Sequence, residues 1–198
     1  MEGPAGRLEL RVDLPQEEPR ALAVICHPHP LHGGSLDNKV VHQLARAFSE
    51  QGAVSVRFNF RGVGNSEGAY DEGRGEREDL LAVTGWARKR WPELPLWLAG
   101  FSFGGLVALA ATAELAPDWL VTVAPAVSYF PVTPGLPPHG RWLLIQGTDD
   151  EIVPAKDVEA WLASAGLSPE KVFVEGAGHF FHGRLNRLRE AVAHHAPR

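Results

Sequence analysis

The chain has 198 residues, 44% of them hydrophobic and 22% charged, with a net charge of -5. That is the balance of an ordinary soluble globular protein, long enough for one domain, residues 1–198, around a continuous apolar core. The negative charge is mild and unclustered, which argues against nucleic acid or an anionic membrane as the main partner.

A single cysteine, Cys26, excludes an internal disulfide and suits a reducing compartment. The first six residues carry neither a basic region nor an apolar run of the signal-peptide kind, so a cytoplasmic protein is expected. Arginine outnumbers lysine fifteen to four, and 16 prolines accompany scarce Asn, Gln, Met and Cys. That usage is expected of a GC-rich bacterial source, a thermophilic one included.

Residues 7–14 alternate charged and apolar side chains and read as a half-exposed strand at a sheet edge. After a turn at 15–19, the apolar run 21–26 suits a buried strand and leads into His27-Pro28-His29-Pro30-Leu31-His32-Gly33-Gly34. Ser35 or Asp37 is placed to cap a helix running to about Gln51, with Val40, Val41, Leu44, Ala45 and Phe48 as its apolar stripe and Gly52 ending it. Residues 53–60 form the next strand, followed by a glycine-rich loop at 61–68 and a helix over 77–90 stopped by Pro92. Further strands are expected at 95–101, 119–124, 142–146 and 171–175, with helices at 103–115, at 155–165 and from about 180 to 195; residues 125–140 are proline-rich and irregular. Such alternation builds a mostly parallel, doubly wound sheet with helices on both faces, and ligands in these folds sit beyond the C-terminal ends of the strands.

Residues 94–113 are uncharged for the length of a membrane span. Pro95, Gly100, Ser102, Gly104 and Gly105 interrupt them, so the stretch reads instead as a buried strand, a turn and a helix. At that turn lies Gly100-Phe101-Ser102-Phe103-Gly104. A strand turning sharply into a helix lifts the serine to the apex of the turn, and glycines on either side relieve the crowding. A serine hydroxyl needs a base to take its proton and a third group to orient the base. Two later strand-end loops hold the candidates: Asp150, 48 residues on, with Asp149 as the competing acid, and His179, a further 29 residues on. His179 follows the flexible Gly176-Ala177-Gly178, whereas His182 falls within the expected last helix, on its surface.

These motifs resemble those of the α/β-hydrolase superfamily: Gly100-Phe101-Ser102-Phe103-Gly104, Gly147-Thr148-Asp149-Asp150-Glu151-Ile152-Val153-Pro154 and Gly178-His179. The run from His27 to Val41, with Arg61-Gly62-Val63-Gly64-Asn65-Ser66-Glu67-Gly68, is similar to a small bacterial subgroup of it, and the likeness covers nearly the whole chain. The resemblance implies a three-layer α/β/α sandwich with an antiparallel N-terminal edge strand. It makes Ser102 the nucleophile, Asp150 the orienting acid by its register from Gly147, and His179 the general base. One oxyanion N–H would come from Phe103. The other would come from the loop after residue 27, where Pro28 and Pro30 have none; His29 and Leu31 remain, and register favours His29.

The histidines at 27, 29 and 32 form an H-x-H-x-x-H run, but locked prolines and the lack of a completing ligand make it a loop shaping the oxyanion pocket, with no metal expected. No cofactor is expected either, since the 62–68 glycines do not follow a nucleotide-binding pattern. Arg61 reads as an anchor bonding loop carbonyls, with a substrate carboxylate contact as its alternative. His27, His32, Arg61, Phe101, Tyr129 and Phe180 are the candidate pocket residues, with Phe103, Phe130 and Phe181 as further aromatic walls. Only seventeen residues separate Ala124 from Trp142, five of them proline, too few for a helical cap and consistent with an open site for small or exposed acyl groups.

The expectation is a serine hydrolase acting on a small ester, thioester or amide through an acyl-enzyme. Its alternatives are an aminopeptidase-like or dipeptidyl-peptidase-like peptidase and a non-catalytic binding relative of the same fold. Degenerate relatives usually lack a triad member, and here all three candidates are present.

Overall fold

The computed structural model describes residues 1–129 and 140–197. The alternating N-terminal stretch divides into β1 (Glu2–Gly3), β2 (Gly6–Arg7) and β3 (Leu10–Asp13). β1 and β2 close a small antiparallel hairpin, and Leu8 is buried where the Met1 ammonium donates to its carbonyl at 2.9 Å. That burial breaks the single strand expected over 7–14.

The main chain then alternates: β4 (Ala21–Cys26), α1 (Lys39–Glu50), β5 (Ala53–Phe58), α2 (Arg74–Arg90), β6 (Leu96–Phe101), α3 (Phe103–Ala110), α4 (Thr112–Leu115), β7 (Trp119–Val123), β8 (Arg141–Gly147), α5 (Ala155–Ala165), β9 (Glu170–Val174) and α6 (Leu185–His195). The seven-stranded sheet has the order β3-β5-β4-β6-β7-β8-β9; β3 is antiparallel to β5 at one edge and every other pairing is parallel.

β4 through β7 are buried along their whole length, which is why they read as continuous apolar runs rather than as alternation. Side chains from one face, including Val24, Phe58, Leu98 and Leu144, pack with Leu80 and Val83 of α2, Leu106 of α3 and Val158 and Leu162 of α5. From the other face Ile25, Trp97, Ala99 and Ile145 pack with Leu44 and Phe48 of α1 and Leu188 and Val192 of α6. The result is the three-layer α/β/α sandwich. No helix among the described residues is long and apolar enough to cross a membrane: the uncharged stretch at 94–113 is divided between β6 and α3.

Helix ends differ from expectation for local reasons. Asn38, rather than Ser35 or Asp37, caps α1, its side-chain oxygen accepting from the Val40 N–H at 2.9 Å. Ser35 Oγ is instead spent on the Asp37 N–H, and Asp37 pairs with Arg11. α2 begins three residues early because the buried Glu76 carboxylate accepts from the N–H groups of Gly73 (2.7 Å) and Asp71 (2.9 Å). The expected helix at 103–115 breaks at Ala111, where the Thr112 hydroxyl donates back to the Leu109 carbonyl at 2.8 Å. α6 starts at Leu185, so His182 lies in the preceding loop and not on the helix.

From β4 the chain crosses to β5 on one side and then returns to place β6 on the other. The C-terminal ends of β4 and β6 therefore flank the point where strand order reverses, the crevice in which such sheets bind ligands. The loop of residues 27–34 leaves one of these ends and Ser102 leaves the other.

Candidate active site

Ser102 joins β6 directly to α3 with φ 55° and ψ −118°. A non-glycine residue in this region stores of the order of 1–3 kcal/mol, so its neighbours must hold it there. They do: its N–H donates to Val123 O at 2.9 Å, and its carbonyl accepts from Gly105 (3.0 Å) and Ala126 (3.3 Å). The flanking glycines answer a close approach of backbone. A Cβ on Gly100 would stand 2.1 Å from Gly104 O, and one on Gly104 would stand 2.4 Å from His27 O at the end of β4.

The turn aims Ser102 Oγ at His179 Nε2, 3.1 Å away, and His179 Nδ1 is 2.9 Å from Asp150 Oδ2. A carboxylate can only accept here, so Nδ1 carries the proton and Nε2 presents its lone pair to the serine hydroxyl. Asp150 Oδ1 accepts from the N–H groups of Ile152 (3.0 Å) and Val153 (2.7 Å), and Gln146 Nε2 donates to Oδ2 at 3.0 Å. The loops carrying Asp150 and His179 are tied together, with the Asp149 N–H on Ala177 O and the Gly176 N–H on the Thr148 hydroxyl. Asp149 itself faces solvent, and His182 is exposed against Phe180. Both competing candidates are thus turned away from the serine.

The 27–34 loop departs from expectation at its first residue. His27 is fully buried and points into the fold, its Nε2 accepting from the Phe60 N–H at 3.1 Å and its Nδ1 lying 2.6 Å from Pro28 O. Burial pulls its pKa down to about 4. His27 is therefore corrected from pocket residue to a neutral staple between the ends of β4 and β5.

His29 and His32 do reach the cleft, which has a volume of about 430 Å³ with Ser102 and His179 exposed to it. Phe103, Ala126, Tyr129, Ile152 and Phe180 supply its apolar wall, and His29, His32 and Asn38 its polar one. Phe103 is the first residue of α3, the position from which a backbone N–H points out of the helix start. His29 stands beside it in the 27–34 loop, its ring 5.0 Å from that of Phe103.

Arg61 and Phe101 are corrected as well. The Arg61 guanidinium is held by the fully buried Asp79 at 2.8–3.1 Å and by Glu78 at 3.3 Å, so it anchors the glycine-rich loop to α2 through carboxylates and not through loop carbonyls. Its pKa is raised, first by the hydrogen bond to Asp79. Phe101 is buried behind His179, ring centroids 5.0 Å apart, and Phe181 is likewise buried, so neither reaches the cleft. Phe130 lies outside the described residues.

Cys26 is a buried free thiol whose pKa is pushed well above the ordinary value by burial. Because His27 turns inward, the three loop histidines do not converge, and among the described residues no group of three or more His, Cys, Asp or Glu is placed to hold a metal ion.

Sequence reasoning misses Asn38, Ala126 and Ile152 of the cleft wall, and two residues that support the site from behind. Gln146 carried a legible signal, a lone polar residue at the end of an apolar strand just before the acid loop. Tyr70, whose hydroxyl lies 3.1 Å from His29 Nε2, carried none.

Comparison with known proteins places the chain in a family. Residues 17–142 match the family model described as "Serine aminopeptidase, S33". The chain belongs to that family. This serine aminopeptidase family member is 30% identical over 202 residues to an uncharacterized protein of Rickettsia prowazekii, covering 96% of this chain and 84% of that one. It superposes with TM-score 0.93 on the crystal structure of a Xanthomonas campestris α/β serine hydrolase without lid, 45% identical, covering 98% of this chain and 89% of the other. An α/β serine hydrolase homologue from Coxiella burnetii matches with TM-score 0.94 and 45% identity, covering 100% and 95%. The family member described here is accordingly an α/β-hydrolase-family serine hydrolase with a mostly parallel sheet, an antiparallel edge strand and, among the described residues, no cap domain.

Proposed function

We propose that this hydrolase cleaves small carboxylic esters, and thioesters of similar size, through an acyl-enzyme on Ser102. The observation that carries the reading is the unbroken chain from Asp150 Oδ2 to His179 Nδ1 at 2.9 Å and from His179 Nε2 to Ser102 Oγ at 3.1 Å. His179 Nε2 takes the hydroxyl proton as Oγ attacks the acyl carbon, and the imidazolium is held by Asp150, which stays ionised. The oxyanion of the tetrahedral intermediate accepts from the backbone N–H groups of Phe103 and His29. His179 then returns the proton to the departing alcohol or thiol, leaving the acyl group on Oγ. Water repeats the sequence and releases the acid.

The aminopeptidase activity that the family description names is not carried over. A substrate with a free α-amino group needs a counter-charge, yet none of the described residues lining the cleft is Asp or Glu. The sequence of residues 130–139 contains none either. Leaving an ammonium unpaired against an apolar wall of Phe103, Tyr129 and Phe180 is costly.

A fluorophosphonate probe and a panel of ester, thioester and aminopeptide substrates, with Ser102→Ala as the blank, test the reading. Labelling of the wild type and not of the variant, with ester turnover and little aminopeptide turnover, is expected. Equal labelling of Ser102→Ala, or turnover that survives it, refutes the acyl-enzyme.

A further inference from the structure

The two residues whose backbone N–H groups are proposed to meet the oxyanion carry side chains that touch. The His29 ring lies 5.0 Å from that of Phe103, and both pack on Tyr70, at 4.9 Å from His29 and 5.9 Å from Phe103. Tyr70 belongs to neither the 27–34 loop nor α3. It ends the glycine-rich stretch before α2, and its hydroxyl reaches His29 Nε2 at 3.1 Å. His29 Nδ1 accepts the Leu31 N–H at 3.2 Å, within its own loop. With Nδ1 so committed, the neutral imidazole carries its proton on Nε2 and donates it to the Tyr70 oxygen.

We propose that Tyr70 is a positioning residue for the oxyanion site, fixing through His29 the loop that presents the His29 backbone N–H. This rests on the acyl-enzyme reading above. The support behind Tyr70 is rigid: the Asp71 N–H that follows it and the Gly73 N–H both donate to Glu76, a fully buried carboxylate of α2. The Gly75 N–H in turn donates to Asp71 at 3.1 Å. A loop that leaves the sheet at Cys26 and turns through a left-handed Gly33 is thereby braced, through Tyr70, against the start of α2.

Burial holds the His29 imidazole below its ordinary pKa, helped by His32. Burial, with Glu76 and Glu72, holds the Tyr70 phenol above its own. Both partners therefore stay neutral near pH 7. Oxyanion donors must be held to within about 0.5 Å, and losing one outright costs about 10²–10³ in rate. Loosening one by removing a neutral hydrogen bond behind it is expected to cost about five- to tenfold.

The experiment is Tyr70→Phe, which keeps the ring packing and removes only the hydroxyl. It is read by kcat and KM on a short-chain p-nitrophenyl ester, by thermal melting, and by the same substitution in a His29→Ala background, which retains the backbone N–H. The inference expects kcat to fall about five- to tenfold with KM and melting temperature little changed, and the effect to vanish once His29 is alanine. An unchanged kcat, a change confined to KM, or an undiminished effect in the His29→Ala background overturns it. Wild-type turnover that depends on Ser102 together with an unaffected Tyr70→Phe removes this inference alone. A wild type without turnover and without fluorophosphonate labelling removes the acyl-enzyme reading with it.

Discussion

Replacing Gln146 with methionine separates what this residue does for stability from what it does for the site. Its Nε2 donates to Asp150 Oδ2 at 3.0 Å and to Val153 O at 2.9 Å, while its Oε1 is buried with no hydrogen-bond partner among the described residues. Methionine keeps the length and removes all three polar contributions. The lost bond to a charged acceptor costs about 1.5–3 kcal/mol and the lost carbonyl bond about 1 kcal/mol, whereas deleting the orphaned oxygen returns about 1–3 kcal/mol. These partly cancel, so unfolding free energy should fall by no more than about 3 kcal/mol.

The site has no such compensation. Asp150 Oδ1 keeps the Ile152 and Val153 N–H groups, but Oδ2 is left with His179 alone. An imidazolium less well supported in the transition state by about 1.4–2 kcal/mol lowers kcat about 10- to 30-fold. Urea unfolding and steady-state kinetics on p-nitrophenyl acetate, run on one preparation, measure both quantities. A stability loss above about 3 kcal/mol with kcat intact would refute the reasoning and make Gln146 a plain structural bond.

His27 makes stability pH-dependent. Folded, it stays neutral down to about pH 4, whereas the unfolded chain takes the proton at its ordinary value of 6.5. The unfolded state thus binds more protons in that window, and a contribution of about 3 kcal/mol present above pH 6.5 is lost as pH falls towards 4. Urea titrations of wild type and His27→Leu should show the shallower pH slope in the variant; parallel slopes would defeat the assignment. Arg61→Leu strands the fully buried Asp79 and is expected to cost about 3–5 kcal/mol, most of it recovered in the Arg61→Leu/Asp79→Leu double variant. A single-variant loss under about 1 kcal/mol in chemical denaturation would show that the pair is not needed. With no cap domain among the described residues, p-nitrophenyl acetate and butyrate should be turned over faster than the laurate ester, and a strong preference for laurate would contradict the open cleft.

The elements were legible because their signals are local. Residues 21–26 and 155–165 have the expected bounds, since an apolar run between turns, or a stripe after Pro154 closed by Gly166, needs no distant partner to be recognised. The edge position of β3 was legible from charge alternation, although burial of Leu8 shortened the strand. The glycine spacing around Ser102 was equally readable, because Gly100 and Gly104 meet backbone within a few residues or at the adjoining strand end.

What only the tertiary structure decided is where side chains point across the sheet. Asp150 turns in to His179 while Asp149, one residue away, faces solvent. His27 points into the core and His29 to the cleft, although the two stand a single proline apart. Arg61 is committed to Asp79 of α2, a partner eighteen residues away that no motif announces. Tyr70 meets His29 over 41 residues for the same reason. Spacing along a chain fixes periodicity and turn chemistry, but a contact between two loops depends on sheet order and on which face each strand end presents. Those are properties of the assembled sheet.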